Sequence, residues 1–212
     1  MKYIWINPVT DKMYEQDVLN EFLEQHGFRR FYTTSDWLTV VKEKYRLAVK
    51  KAGRPVIDVR CPKIKKLLEE LNLTSQISIP EIDPILIHCG QEASEREYLL
   101  QKEKIITTPC EALANMGNEL ALPKTCFISW NQFLKSIGSN PIGVAPNKSP
   151  IPPGFFDKMG LKTVSITGEE EIRAYFQQGV TSDVQLVELL YCKDGCHNGD
   201  GIEPQNIGTC ES

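Results

Sequence analysis

Short apolar runs alternate along the chain with stretches in which apolar residues recur every three or four positions. The first pattern is typical of buried strands and the second of amphipathic helices. The apolar runs predict seven strands, at 3–7, 55–59, 84–88, 104–108, 125–128, 162–166 and 184–190. Helical spacing predicts helices beginning near Val18 and Trp37, and further helices over 63–71, 93–101 and 111–116.

Turn and capping residues refine the predicted helix boundaries. Gly27 and Gly117 are expected to end two of the helices, since glycine readily adopts the conformation found at helix C-termini. Ser129 with Gln132, and Thr167 with Glu170, have the capping-box spacing. They predict two more helices, the first of which ends near residue 138.

The alternation of strands and helices predicts an α/β fold with mainly parallel sheets flanked by helices. Residues 140–154 contain five prolines together with Gly, Asn and Ser. We interpret 139–154 as an extended connection between two small lobes, an N-terminal lobe over 1–138 and a C-terminal lobe over 155–212. A ligand site is expected between the lobes, outside the carboxyl ends of their strands.

Composition narrows the classes of function. The 212 residues are 41% hydrophobic and 25% charged, and 24 Lys and Arg against 28 Asp and Glu give a net charge of −4. This charge argues against nucleic acid as a partner. No run of 18 apolar residues occurs, and residues 1–10 lack the features of a signal peptide. The sequence therefore predicts a soluble cytoplasmic protein with no membrane partner.

Seven cysteines are unexpected in such a protein, because a reducing compartment disfavours structural disulfides. Cys61, Cys89, Cys110 and Cys192 each follow a predicted strand closely, and Cys196 lies one turn further on. The carboxyl ends of parallel strands would gather these thiols at one edge, as metal ligands or reactive groups. An ordinary buried thiol is the alternative for Cys89. The two remaining cysteines are expected in the core (Cys126) and exposed near the C-terminus (Cys210).

The segment Cys192-Lys193-Asp194-Gly195-Cys196 is the most informative, because no apolar residue lies between its thiols. Gly195 and Gly199 would let backbone approach a bulky inorganic group. A c-type haem site needs Cys-x-x-Cys-His, which is one residue shorter. A structural zinc site completed by His197 and Cys210 stays open as an alternative. Asp200 and the other carboxylates after Cys192 are expected to form a solvated face.

Three segments together resemble the C-terminal, active-site-cluster domain of the iron-only (FeFe) hydrogenases. That family has Cys-Cys-Pro, then Pro-Cys-Thr-Ala-Lys-Lys, then Cys-Pro-Gly-Gly-Cys preceded by Glu and Met. This chain has Arg-Cys-Pro at 60–62, Thr-Pro-Cys-Glu-Ala-Leu at 108–113 and Glu-Leu-Leu-Tyr-Cys-Lys-Asp-Gly-Cys at 188–196. Order and spacing agree over roughly residues 55 to 202.

The resemblance implies a 4Fe-4S cluster held by four cysteines, Cys61, Cys110, Cys192 and Cys196. The first two would come from the N-terminal lobe and the last two from the C-terminal lobe. Cys89 is a candidate extra or substitute ligand. The residues expected around the ligands, without binding the cluster, are Arg60, His88, Gly195 and His197.

The chain departs from the family at the residues that serve its di-iron unit. Arg60 stands in place of the proton-shuttling cysteine, Leu113 in place of the cyanide-binding lysine, and Leu190 in place of the methionine. We therefore expect the 4Fe-4S half of the site without the di-iron half, and no catalytic residue. The expected function is therefore electron transfer, or redox and oxygen sensing, with an unidentified redox protein as the partner. The oligomeric state stays open. The alternatives are an active iron-only (ferredoxin) hydrogenase, or a subunit of one, and a structural zinc protein.

Overall fold

A computed structural model describes residues 1–73, 76–180 and 183–202. It confirms the predicted α/β fold: two parallel sheets are flanked by helices. The four-stranded sheet has the order β2-β1-β4-β5, with β1 at Lys2–Trp5, β2 at Phe28–Arg30, β4 at Lys104–Thr108 and β5 at Thr125–Ser129. The three-stranded sheet has the order β3-β7-β6, with β3 at Val56–Ile57, β6 at Thr163–Thr167 and β7 at Leu186–Leu190.

The strands are connected mainly by helices, as parallel pairing requires. These helices are α1 (Pro8–Asp11), α2 (Gln16–Gln25), α3 (Trp37–Lys51), α4 (Pro62–Glu70), α5 (Ile85–Glu95), α6 (Glu111–Glu119), α7 (Trp130–Ile137) and α8 (Glu169–Gln178). Short 3₁₀ helices occur at Glu97–Leu99, Asp157–Met159 and Cys196–Asn198. Within the described ranges, no helix is both long and apolar enough to span a bilayer.

The strands are not divided between the sheets at residue 138. The Val56–Ile57 strand pairs in parallel with β7, since the Val56 N–H donates to the Gln185 carbonyl at 2.9 Å and the Asp58 N–H to the Val187 carbonyl at 2.8 Å. A segment of the predicted N-terminal lobe therefore belongs to the second sheet. Cys61, which we assigned to the first lobe, follows a strand of the three-stranded sheet instead.

The strand predicted at 84–88 is wrong, because these residues begin helix α5. In the short run of Ile85, Leu86 and Ile87 the last two residues are buried, and a run of that length has no periodicity that distinguishes a strand from a buried helix. The helix predicted over 93–101 differs as well, because α5 already ends at Glu95 and is followed only by a 3₁₀ turn at Glu97–Leu99. Cys89 therefore lies within a helix and not at the end of a strand.

The structure also corrects several local predictions. Neither predicted capping box forms: the Ser129 hydroxyl donates to Asn131 Oδ1, and Thr167 Oγ1 accepts from the Asp194 N–H while Gly168 precedes α8. Cys126, predicted in the core, is exposed, because it lies on the edge strand β5.

Gly117 does not end α6, which continues to Glu119, because the glycine is needed inside the helix. The ring of Phe127 lies between α5 and α6, against Gly90 and Gly117. A Cβ placed on either glycine would lie 2.3 Å from a ring atom. The two glycines thus let both helices approach the four-stranded sheet closely.

Replacing Gly117 with alanine should lower the free energy of unfolding. Overpacking against the buried Phe127 ring costs about 1–3 kcal/mol, which outweighs the roughly 1 kcal/mol that alanine gains over glycine in helix propensity. Urea unfolding followed by circular dichroism measures the difference. Gly53→Ala is the control, since nothing lies within 4 Å of its added Cβ, and it should be neutral within error. Equal stability of the Gly117→Ala variant and the parent would contradict this packing.

Candidate functional site

Four of the described cysteines follow the carboxyl ends of strands in the two sheets. Cys61 follows β3, Cys110 follows β4, and Cys192 and Cys196 follow β7. All four are free thiols. Burial raises the pKa of Cys196, and the neighbouring Cys61, Cys192 and Cys110 raise it further, so these thiols lie within electrostatic range of one another.

Helix N-termini present two of the thiols. Cys61 is the N-cap of α4 and Cys110 the N-cap of α6. Both have extended backbone, and Pro62 fits the first position of α4, where no N–H partner is needed. Neither thiol makes a capping hydrogen bond, but the nearby backbone N–H groups of Lys63, Ile64 and Tyr191 lower the pKa of Cys61 against the larger effect of burial, and that of Leu113 does the same for Cys110. These donors and the helix dipoles favour the thiolate form that binds metals.

The loop after β7 lies directly on the segment that carries Cys110. The Gly201 N–H donates to the Pro109 carbonyl at 3.1 Å. A Cβ on Gly199 would lie 2.3 Å from that carbonyl oxygen, and one on Gly201 would lie 2.8 Å from the Cys110 nitrogen. Only glycine permits this approach, which brings Cys196 to Cys110.

Asp200 joins the two helices that begin at cysteines. Its carboxylate accepts from Lys63 Nζ on α4 at 2.7 Å and from the Glu111 N–H on α6 at 3.0 Å. Its carbonyl accepts from Asn131 Nδ2 at 2.9 Å. Asp200 is exposed, as expected of a solvated face, and its carboxylate also bridges both sides of the site.

A buried ion network lies behind the thiols, and the sequence reasoning identified only Arg60 in it. The Arg60 guanidinium donates twice to Asp58, at 2.8 and 2.7 Å, and once to Glu188 at 3.4 Å. The Tyr45 hydroxyl donates to Asp58 Oδ1 at 2.8 Å. One clue in the sequence could have identified these two partners, since each is a carboxylate within a predicted buried strand. Glu188 lies in the strand predicted at 184–190 and Asp58 in the strand predicted at 55–59.

Burial sets the protonation state of the metal-free thiols. It raises the pKa of Cys110 to about 12, and Cys61, Asp200 and Cys192 add to the effect. Burial likewise raises the pKa of Cys192 to about 11, with Cys61 as the next contribution. The thiols are therefore protonated at neutral pH unless bound cations stabilise the thiolates.

Two other expected site residues lie elsewhere. The ring of His88 stacks on Trp37 at 4.8 Å, and its nitrogens contact Gln91 and Lys44. Cys89 is buried in the same helix, where burial raises its pKa to about 12 and Thr33 is its hydrogen-bond partner. These contacts place neither residue with the four converging thiols, and they fit the alternative that Cys89 is an ordinary buried thiol.

The remaining expectations concern the Cys196 loop. Gly195 has φ of 121°, and a Cβ there would lie 2.5 Å from Ser149 Cβ, so a glycine is required. His197, next to Cys196, has a buried Nδ1 without a hydrogen-bond partner in the described part of the chain. Cys210, the other candidate zinc ligand, lies outside the described residues.

Four thiols are the donor set of an iron–sulfur cluster and also of a structural zinc site. Within the described ranges, no three His, Cys, Asp or Glu side chains are grouped to hold a single metal ion. Zinc needs sulfurs about 2.3 Å away, hence about 3.8 Å apart, whereas a cluster spreads its four thiolates over four irons. The unpartnered His197 nitrogen and the N–H groups around Cys61 are donors of the kind that cluster sulfurs accept.

Comparison with known proteins adds no relative. No family model matches the chain, and a search of curated proteins finds no match. The resemblance to the hydrogenase domain therefore depends on the three motifs alone. The positions of the site residues in the structure are independent of that resemblance.

The metal-free chain should show unequal thiol reactivity. At pH 8 only about one Cys192 thiol in a thousand is ionised, and fewer of Cys110, whereas Cys126 is exposed. Iodoacetamide should therefore label Cys126 well before the other two, and their rates should rise tenfold per pH unit up to pH 10. Mass spectrometry of peptides measures the rates, with urea-unfolded chain as the reference. Labelling of Cys110 as fast as Cys126 in the folded chain would contradict the buried site.

Proposed function

We propose that the chain binds one 4Fe-4S cluster through Cys61, Cys110, Cys192 and Cys196, and that it acts in electron transfer or in redox and oxygen sensing. The observation that supports this most is that four partly buried thiols follow strand ends, with the loop that carries Cys196 lying directly on the backbone of Cys110. Four adjacent thiols are costly to ionise together, and a polynuclear iron centre offsets that cost.

The residues around the thiols have distinct roles in this proposal. When bound, the cluster supplies a one-electron redox couple. The N–H groups of Lys63, Ile64 and Tyr191 would stabilise the Cys61 thiolate, and a protonated His197 Nδ1, which is buried without a partner in the described residues, would be free to donate to cluster sulfur. Such donors raise the reduction potential, because they stabilise the form with more negative charge.

The position of the site couples the cluster to the fold. Cys110 follows the four-stranded sheet, and the other three ligands follow the three-stranded sheet. Without the cluster, the hydrogen bonds that remain at this position include those from Lys63 and Glu111 to Asp200 and the one from Gly201 to Pro109. Loss of the cluster would loosen the junction of the sheets, which is the property that a sensor needs.

Hydrogen chemistry is the weaker candidate. Arg60 is held by Asp58 and Glu188 and cannot shuttle protons as a thiol does. Leu113 and Leu190 are buried apolar residues with no group that could bind or protonate a substrate. We therefore propose electron transfer or sensing and not catalysis.

The proposal predicts about four irons and four sulfides per chain after purification without oxygen, and a brown colour that fades in air. Cys61→Ser and Cys192→Ser should each lose more than half of the iron. Cys126→Ser is the matched control, since this exposed thiol lies outside the site, and it should retain all of it.

Three results would contradict the proposal. They are a colourless protein with about one zinc, equal iron loss in the Cys126→Ser control, and full iron retention in both ligand variants. Hydrogen uptake with infrared bands from iron-bound CO and CN would favour the hydrogenase alternative instead.

A further inference from the structure

Strand β6 forms an open edge of the three-stranded sheet. It lies last in the order β3-β7-β6 and pairs with β7 on one side only. Lysine, proline and bulges are common means by which an edge strand avoids pairing with another chain. The five residues of β6 include no charged residue and no proline, and their continuous register with β7 leaves no bulge. Ser165, at the centre of the strand, is exposed.

The pairing with β7 determines which backbone groups of β6 face outward. The Leu186 N–H donates to the Lys162 carbonyl at 3.3 Å, and the Gly168 N–H donates to the Leu190 carbonyl at 3.0 Å. Since only every second residue of a parallel strand bonds to a given neighbour, the even-numbered residues of β6 bond to β7. The N–H and C=O groups at 163, 165 and 167 therefore point away from the sheet. In the part of the chain that the structure describes, no other segment's backbone bonds to these groups.

The other edges of the two sheets are protected. On β5, the Asn118 side chain donates to the Phe127 carbonyl and accepts from the Phe127 N–H, at 2.8 Å in each case. On β3, the Ile57 N–H donates to the Ser78 carbonyl at 2.9 Å. Strand β2 has only three residues, and two of them are arginines. Among the described strands, β6 is thus the one whose edge is long, uncharged and uncovered.

We propose that β6 is a dimerisation edge, on which β6 of a second copy of the chain pairs in an antiparallel direction about a two-fold axis. The two three-stranded sheets would then form one continuous sheet. An axis at Ser165 places Thr163 opposite Thr167 of the second copy, so that every outward backbone group of β6 is paired. Such a strand pair makes about six hydrogen bonds. The dimer is independent of the proposed cluster.

The side chains of β6 and its ends favour a second copy in this direction. Val164 and Ile166 are half-buried, and each would lie opposite the other residue of the second copy, where β-branched pairs stabilise a sheet. Lys162 precedes the strand and is exposed, and three glutamates follow it at 169–171. Antiparallel pairing brings the lysine of each copy to the glutamates of the other. Parallel pairing would bring like charges together, which destabilises a strand pair.

The first test is the molar mass of the purified chain, measured by sedimentation equilibrium at concentrations well above micromolar. We expect a dimer with twice the mass of the single chain. Thr163→Pro should lower the association constant about tenfold or more, because proline removes an outward N–H in each copy but no hydrogen bond to β7. Thr163→Val is the matched control, since it keeps this N–H, and it should associate as the parent does.

A cysteine cross-link tests the position of the two-fold axis. In a hydrogen-bonded antiparallel pair, opposite Cα atoms lie about 5.5 Å apart, which a disulfide can span. Oxidation of Ser165→Cys should therefore give a disulfide-linked dimer on a non-reducing gel. Thr163→Cys, which would lie opposite position 167 and not opposite itself, should give no more than the parent. The parent accounts for cross-links made by the native cysteines.

A monomeric parent would overturn the inference, even if β6 then bound an extended peptide of another protein. Association of Thr163→Pro as strong as that of the parent would overturn it as well. So would a Thr163→Cys cross-link equal to that of Ser165→Cys. If circular dichroism shows that Thr163→Pro does not fold, the parent's mass and the two cysteine variants decide. None of these outcomes affects the proposed cluster, which the iron and sulfide content tests separately.

Discussion

The structure depends on one electrostatic constraint, which is that four thiols lie together in a buried place. Burial raises the pKa of Cys110 to about 12, and Cys61, Asp200 and Cys192 raise it further. Protonated thiols interact weakly, and they give little reason for four segments to meet. In the proposed function, bound iron would remove this constraint, because the metal would take the place of four protons.

The local sequence serves this meeting of segments. Pro62 starts α4 directly after Cys61, so that this cysteine lies at the positive end of the helix dipole. Gly199 and Gly201 let the Cys196 loop lie on the backbone of Cys110. Asp200, from the same loop, bridges the starts of α4 and α6. Behind these contacts, the ion network of Asp58, Arg60 and Glu188 fixes the strands that precede the ligands. The site is therefore stabilised by the Asp200 bridge on its outer side and by the ion network on the side that faces the core.

The sequence predicted the class of fold and the position of four thiols after strands, because both depend on local pattern, whereas their role as ligands stays a prediction. Strands such as Leu186–Leu190 are short and mostly apolar, and the cysteines follow them at the end where parallel sheets bind ligands. The pairing of β3 with β7 was missed, because a two-residue strand carries no sign of its sheet. The run at 84–88 was misassigned since a short buried run has no period. The network around Arg60 joins residues 130 positions apart, and no local spacing reports it.

The most direct measurement is diffraction from crystals of the anaerobically purified protein, with anomalous data collected at the iron absorption edge. The account predicts four iron peaks in one compact group, each within bonding distance of one sulfur of Cys61, Cys110, Cys192 or Cys196. A single metal ion at these thiols, or thiols that point apart with no iron between them, would contradict it.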